Sequence, residues 1–130
     1  MIALDTNVLV RFLVADDAAQ ARKAKALVES LDEDTRAYVP DIVLCELVWV
    51  LTRAYGFDRT RVSKALRLLA SARQLQLHSV DHVLRAIAAY EKGSGDFAHY
   101  LIREQAKAAG CASVITFDKK LLKEDSFASP

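Results

Sequence analysis

Four acidic residues, Asp5, Glu46, Asp96 and Asp118, stand where a carboxylate could do chemistry. Asp5 ends the apolar run Met1-Ile2-Ala3-Leu4 and is followed at once by Thr6, Asn7 and a second apolar run, Val8-Leu9-Val10. The first run is too short for a helix, so it predicts a buried strand delivering Asp5 to the start of one. Taken alone, an acid in that position serves equally as an N-cap for a backbone N–H. Glu46 is the only charge between Ile42 and Leu51. Asp96 follows the loop Gly93-Ser94-Gly95, and a spacing of three puts His99 on its side of the next helix. That loop lacks the Gly-Lys-Ser or Gly-Lys-Thr of a phosphate-binding loop. Asp118 ends the β-branched run Ser113-Val114-Ile115-Thr116-Phe117, repeating the opening pattern, and is followed by Lys119 and Lys120.

Four carboxylates gathered in one place could not all remain ionised without cations, because like charges raise one another's pKa. Oxygen-only donors favour Mg²⁺ or Mn²⁺ over zinc. Such a site suits phosphodiester hydrolysis: the ions polarise the phosphate, generate hydroxide from bound water and stabilise the leaving oxygen in an in-line displacement. No serine, cysteine or histidine nucleophile is needed.

The elements that must position these acids follow from periodicity and punctuation. A helix is expected over Val8 to Ala15, and Asp16-Asp17 can cap a second one from Ala18 to about Leu31. Asp32-Glu33-Asp34 reads as a solvated turn, and Ala37-Tyr38-Val39 as a strand stopped by Pro40. From Asp41 the chain should form a helix ending before Tyr55-Gly56, apolar nearly all round. Val43, Leu47 and Val50 share the side of Glu46, whose carboxylate should therefore be partly desolvated and need a partner, either an arginine such as Arg53 or a shared metal ion. Asp58 or Thr60 can cap a helix with Val62, Leu66 and Leu69 inside and a basic, solvated face of Arg59, Arg61, Lys64 and Arg67 outside. Leu75-Gln76-Leu77 reads as a strand, Val80 to about Lys92 as a helix, and the helix opened by Asp96 closes between Ala106 and Gly110. Strands alternating with helices predict a parallel sheet covered on both faces, with ligands beyond the carboxyl ends of its strands.

Composition narrows the class. At 130 residues and 52% hydrophobic, the chain suits one domain with a full core. Its 18 basic and 17 acidic residues leave no strong overall field, so any nucleic-acid site must be local. Charges break every apolar run before the ~20 residues of a membrane span, and Asp5 comes too early for a signal peptide. A cytoplasmic protein with no membrane partner is expected, with Cys45 and Cys111 as buried thiols rather than a disulfide.

Together, Leu4-Asp5-Thr6-Asn7-Val8-Leu9-Val10, Glu46-Leu47-Val48-Trp49-Val50-Leu51, Asp96-Phe97-Ala98 after a glycine, and Thr116-Phe117-Asp118-Lys119 resemble the PIN domain of VapC-type toxins, in the family's order and over essentially the whole chain. The resemblance implies a PIN-like three-layer α/β/α domain, with a short central parallel sheet flanked by helices, over residues 1–125, before a frayed tail over 126–130. It implies a Mg²⁺-dependent endoribonuclease of a type II toxin–antitoxin pair, with Mn²⁺ able to substitute, acting on an RNA substrate as a homodimer and neutralised by a VapB-like antitoxin that occludes the acidic site. Carried over by position, Asp5 and Asp96 are the principal metal ligands, Glu46 and Asp118 complete the quartet, and Thr6, Asn7 and Thr116 are supporting hydrogen-bond groups. Members of the family often carry another acid where this chain has His99, which could ligate, contact phosphate or, the favoured reading, hydrogen-bond a neighbouring acid. Arg11, Lys119 and Lys120, near the expected site, are candidates for binding RNA phosphates. Trp49 and Tyr55 belong either to the core or to an apolar groove for an antitoxin helix.

Three rivals fit less well. An aspartyl phosphatase would want Asp-x-Asp where this chain has Asp5-Thr6-Asn7, and a phosphoacceptor receiver would leave Glu46 unexplained despite Lys119. A catalytically silent PIN-like module that binds RNA or a partner is the non-enzymatic alternative.

Overall fold

In the computed structural model, which describes all 130 residues, the chain forms two compact units, Met1–His78 and Ser79–Pro130. The first runs β1 (Ile2–Ala3), α1 (Thr6–Leu13), α2 (Ala18–Ser30), β2 (Ala37–Val39), α3 (Asp41–Arg53), α4 (Arg59–Ser71) and β3 (Leu75–Leu77). Its strands form a parallel sheet in the order β1-β2-β3, with Ile2 opposite Ala37 and Ala37 opposite Leu75. The second runs α5 (Val80–Lys92), α6 (Phe97–Ala108), β4 (Val114–Ile115), a 3₁₀ turn (Leu121–Lys123) and β5 (Phe127–Ala128), with β4 and β5 parallel. Six helices and short parallel strands make the α/β fold that the alternating pattern predicts.

Helix starts obey local rules. Asp17 accepts the Gln20 N–H at 3.0 Å to cap α2, and Asp58, of the two expected candidates, accepts the Arg61 N–H at 2.8 Å to cap α4. Pro40 stands at the N-cap of α3 with extended backbone and no side-chain bond, while Asp41 in the first turn and Arg53 in the last suit the helix dipole. α1 begins at Thr6, two residues earlier than expected, because Asp5 already accepts the Thr6 N–H at 2.8 Å.

In the first unit, α1 packs on α2 and α3, and α3 on α4, around Leu9, Leu44, Leu47, Leu51, Val62 and Leu66, all essentially inaccessible. In the second, α5 packs on α6, and Tyr90 meets Phe97 edge-to-face with ring centroids 6.3 Å apart.

Three expectations are corrected here. The tail does not fray: Phe127 is buried, β5 pairs with β4 through Val114 N–H to Ser126 O at 2.8 Å and Thr116 N–H to Ala128 O at 2.9 Å, and Ser126 turns into the strand at φ 67°. The polar stretch from Lys123 to Pro130 hides this pairing because its one large apolar anchor, Phe127, is isolated in sequence. α3, though apolar nearly all round in sequence, is not buried on most of its faces as that pattern predicts, since Ile42 and Trp49 are 69% and 62% exposed. Cys45 and Cys111 are free, as expected, but Cys111 is exposed; Cys45 is half-buried, and burial, followed by the charge of Asp41, pushes its thiol pKa up.

Candidate active site

Asp5 lies one residue beyond Leu4, whose N–H donates to Tyr38 O at 2.9 Å and so continues the β1–β2 ladder to the carboxyl edge of the sheet. Its carboxylate is exposed, and its one hydrogen bond is the cap to Thr6 N–H. Thr6 is 6% exposed, and its hydroxyl oxygen is buried without a hydrogen-bond partner. A buried hydroxyl left unpaired beside an exposed acid is costly unless something else completes it. Asn7 is exposed.

Glu46, in the second turn of α3, departs from expectation. Val43, Leu44, Leu47, Val48 and Leu51 form the covered face, whereas Ile42, Glu46, Trp49 and Arg53 share an exposed stripe. Glu46 is therefore solvated rather than partly desolvated, and it pairs with neither Arg53 nor any other group. Nearly uniform apolarity concealed which face the neighbouring helices cover. Hydration makes a partner unnecessary for folding and leaves both carboxylate oxygens available.

Arg11 is not a free phosphate ligand in this arrangement. Its Nε donates to Gln20 Oε1 at 2.7 Å, and one terminal nitrogen donates to Asp16 Oδ1 at 2.7 Å and to Tyr55 Oη at 3.3 Å, while Tyr55 donates to Asp16 Oδ2 at 2.8 Å. The Tyr55 hydroxyl, then the guanidinium, holds the Asp16 pKa down, and Tyr55 followed by Asp16 holds that of Arg11 up. Local charge near Asp5 predicted a ligand; side chains from two other segments claim it instead. Tyr55 is accordingly neither core nor groove wall alone.

In the second unit, Asp96 is the exposed N-cap of α6, and its carboxylate makes no capping hydrogen bond. His99 follows on the first turn, with Nδ1 buried and unpaired, so the expected hydrogen bond from His99 to a neighbouring acid is absent. Asp118 lies three residues beyond β4 and is locally held: its N–H donates to Thr116 Oγ1 at 3.0 Å, and its Oδ1 accepts the Lys120 N–H at 2.9 Å. Lys119 and Lys120 are exposed and form no ion pair.

Two of the four acids lie in each unit, and in neither unit do three or more Asp, Glu, His or Cys side chains gather into a metal-holding group. The donor chemistry itself suits a hard divalent cation. All four are oxygen donors without a cationic partner, Asp5, Glu46 and Asp96 are exposed, and Thr6 supplies an unpaired hydroxyl beside the first of them.

A cavity of about 580 Å³ lies at the opposite, amino-terminal edge of the first sheet among Met1, Ile2, Leu31 and Arg36, and holds none of these residues. A smaller, mainly apolar groove of about 240 Å³ runs between α1 and α2, lined by Asn7, Val8, Arg11, Gln20, Lys23, Ala24 and Leu27. Nothing in the sequence pattern marked it, because its walls come from two helices whose packing is not local.

Parallel strands alternating with helices, with Asp5 beyond β1, Asp96 at the start of α6 and Asp118 beyond β4, fit an α/β domain of PIN type. The chain belongs to the PIN domain family, whose model matches residues 2–125. A VapC ribonuclease of Aquifex aeolicus (strain VF5) is 25% identical over 123 residues, which cover 95% of this chain and 91% of that relative. No helix is long and apolar enough to cross a membrane.

Proposed function

We propose that the protein is a metal-dependent endoribonuclease, the toxin of a type II toxin–antitoxin pair, with Asp5, Glu46, Asp96 and Asp118 as its metal-binding acids. The observation that carries this reading is the match of the PIN family model to residues 2–125, a span that holds four carboxylates none of which is neutralised by a cation of the protein; the likeness to a VapC ribonuclease supplies the substrate class. Mg²⁺, or Mn²⁺ in its place, would be held by these acids and would supply Lewis acidity and neutralise charge at the scissile phosphate. The residues around it have simpler tasks. Asp96 keeps its carboxylate clear of the helix end it starts, Asp5 gives one oxygen to the Thr6 N–H and leaves the other open, Thr116 fixes the backbone of Asp118, and the buried hydroxyl of Thr6 has a donor left for a ligand of Asp5. Lys119 and Lys120 are available to RNA phosphates, whereas Arg11 braces α1 against α2 and the end of α3.

A VapB-like antitoxin is the partner this reading requires. The groove between α1 and α2, apolar along Val8, Ala24 and Leu27 and basic at Arg11 and Lys23, supports its docking beside Asp5. A homodimer belongs to the same reading, and the exposed Ile42 and Trp49 on α3 offer apolar surface for one.

The test is cleavage of total cellular RNA by purified, antitoxin-free protein in Mg²⁺ and in EDTA, beside Asp5→Asn and Asp96→Asn. Cutting that needs the metal and is lost in both variants supports the nuclease, and the mapped ends name its target. Folded protein that binds neither Mg²⁺ nor Mn²⁺ overturns it, and metal binding without cleavage points to the catalytically silent module.

A further inference from the structure

The Gly93-Ser94-Gly95 loop that precedes Asp96 is clasped by two side chains of its own unit. Tyr100 is fully buried, and its hydroxyl accepts the Gly95 N–H at 2.9 Å while pointing at both oxygens of Glu124, 2.8 and 2.7 Å away. A buried hydroxyl needs such partners, and a hydrogen bond to a carboxylate is the stronger kind. Glu124 is half-buried and has no cationic partner, so the hydroxyl and solvent are what stabilise its charge.

Both glycines are demanded by this packing rather than by their backbone angles. A Cβ on Gly93 would overlap Tyr100 Oη and Glu124 Oε1, and one on Gly95 would come within 2.5 Å of Leu121 Cδ2. The second partner matters because of where it sits. Glu124 closes the 3₁₀ turn through its N–H to Leu121 O at 2.9 Å, and that turn starts from Asp118, whose carbonyl accepts the Leu121 N–H at 3.1 Å. A continuous path of hydrogen bonds and short backbone therefore runs from Asp118 through Glu124 and Tyr100 to Gly95, the residue before Asp96.

We propose that Tyr100 and Glu124 are positioning residues that lock the backbone bearing Asp96 to the backbone bearing Asp118, so that both acids are held ready for a divalent cation. This rests on the metal-nuclease reading above. Neither residue touches substrate in the proposed reaction, and their effect is on ligand placement, the kind of outer support whose loss costs about 10–100-fold in metal affinity or activity.

The experiment uses the full chain and Mn²⁺ alone as probe, comparing wild type with Tyr100→Phe, Glu124→Ala and Glu124→Gln. Mn²⁺ affinity is measured by calorimetry and exchange of the Gly95 amide by NMR, at a temperature where each variant is folded. Tyr100→Phe keeps the ring in its packing and removes only the hydroxyl; it should weaken Mn²⁺ binding by about tenfold or more and speed Gly95 exchange. Glu124→Ala should do the same, and Glu124→Gln, which retains an acceptor for the hydroxyl, should restore most of the affinity. A residue with a merely structural role would lower the unfolding midpoint of the variants and leave the Mn²⁺ affinity of the folded protein unchanged. That result in Tyr100→Phe and Glu124→Ala, with wild type binding Mn²⁺, overturns the positioning role alone. Wild type that binds no Mn²⁺ overturns the metal reading and this inference with it. Should Tyr100→Phe not fold, the contrast between Glu124→Ala and Glu124→Gln decides.

Discussion

The two units hold their candidate acids by different means. In the first, Asp5 has one hydrogen bond, to the adjacent Thr6 N–H, and Glu46 has none, each side chain standing in solvent on a rigid helix start or helix face. In the second, Asp118 is fastened at its own N–H and carboxylate, and the loop before Asp96 is tied to a buried tyrosine. The difference follows from the scaffold. β1 and α3 are anchored by a three-stranded sheet and a fully buried helix face, so acids placed on them need little further support. The two-residue strands β4 and β5 and a glycine loop give no such frame, and side-chain hydrogen bonds do that work. Rigid elements carry a site with less help than loops do.

Changes that remove an acid should break the comparison most severely, because both units then fail alike. Asp5→Asn and Asp96→Asn are each expected to lower metal-dependent RNA cleavage by about a thousandfold or more, while His99→Ala keeps measurable cleavage, as read from initial rates on one RNA. Equal loss in all three would make His99 essential. Within α3, the buried and open faces should separate cleanly. Leu47→Ala is expected to cost about 2–5 kcal/mol in urea unfolding, from lost burial and the cavity left behind, against about 0.5 kcal/mol or less for Trp49→Ala. A large cost for Trp49 would mean that a second molecule covers it. Gly95→Ala tests the looser unit, where the new methyl group should displace Leu121 and destabilise by about 1–3 kcal/mol in the same assay.

The smallest effect concerns the brace at Arg11. Because the Tyr55 hydroxyl and then Arg11 lower the pKa of Asp16 in the folded state, the carboxylate contributes stability above its ordinary pKa, and that contribution is lost as pH falls through the lowered value. Asp16→Asn should therefore lower stability most at neutral pH and flatten the acid limb, measured by urea midpoints from neutral pH downward, with the two curves converging at the acid end. A pH dependence identical to wild type would show that solvent screens the brace completely.

What the sequence by itself determined about this protein is local. The strands at 37–39 and 75–77, the helix from Val80 to Lys92 and the placing of Asp5 and Asp96 at helix starts follow from period, capping and glycine or proline punctuation, all of which act within a few residues. The PIN family was legible for the same reason, since short local motifs carried the resemblance, and its model matches residues 2–125. What depended on distant neighbours was not. That Glu46 lies on the open face of α3, that Arg11 is claimed by Asp16, Gln20 and Tyr55, that Phe127 draws the tail into a strand, and that Glu124 reaches Tyr100 were decided only by the tertiary structure. Burial and long-range hydrogen bonds depend on which segments meet, and no spacing along the chain encodes that.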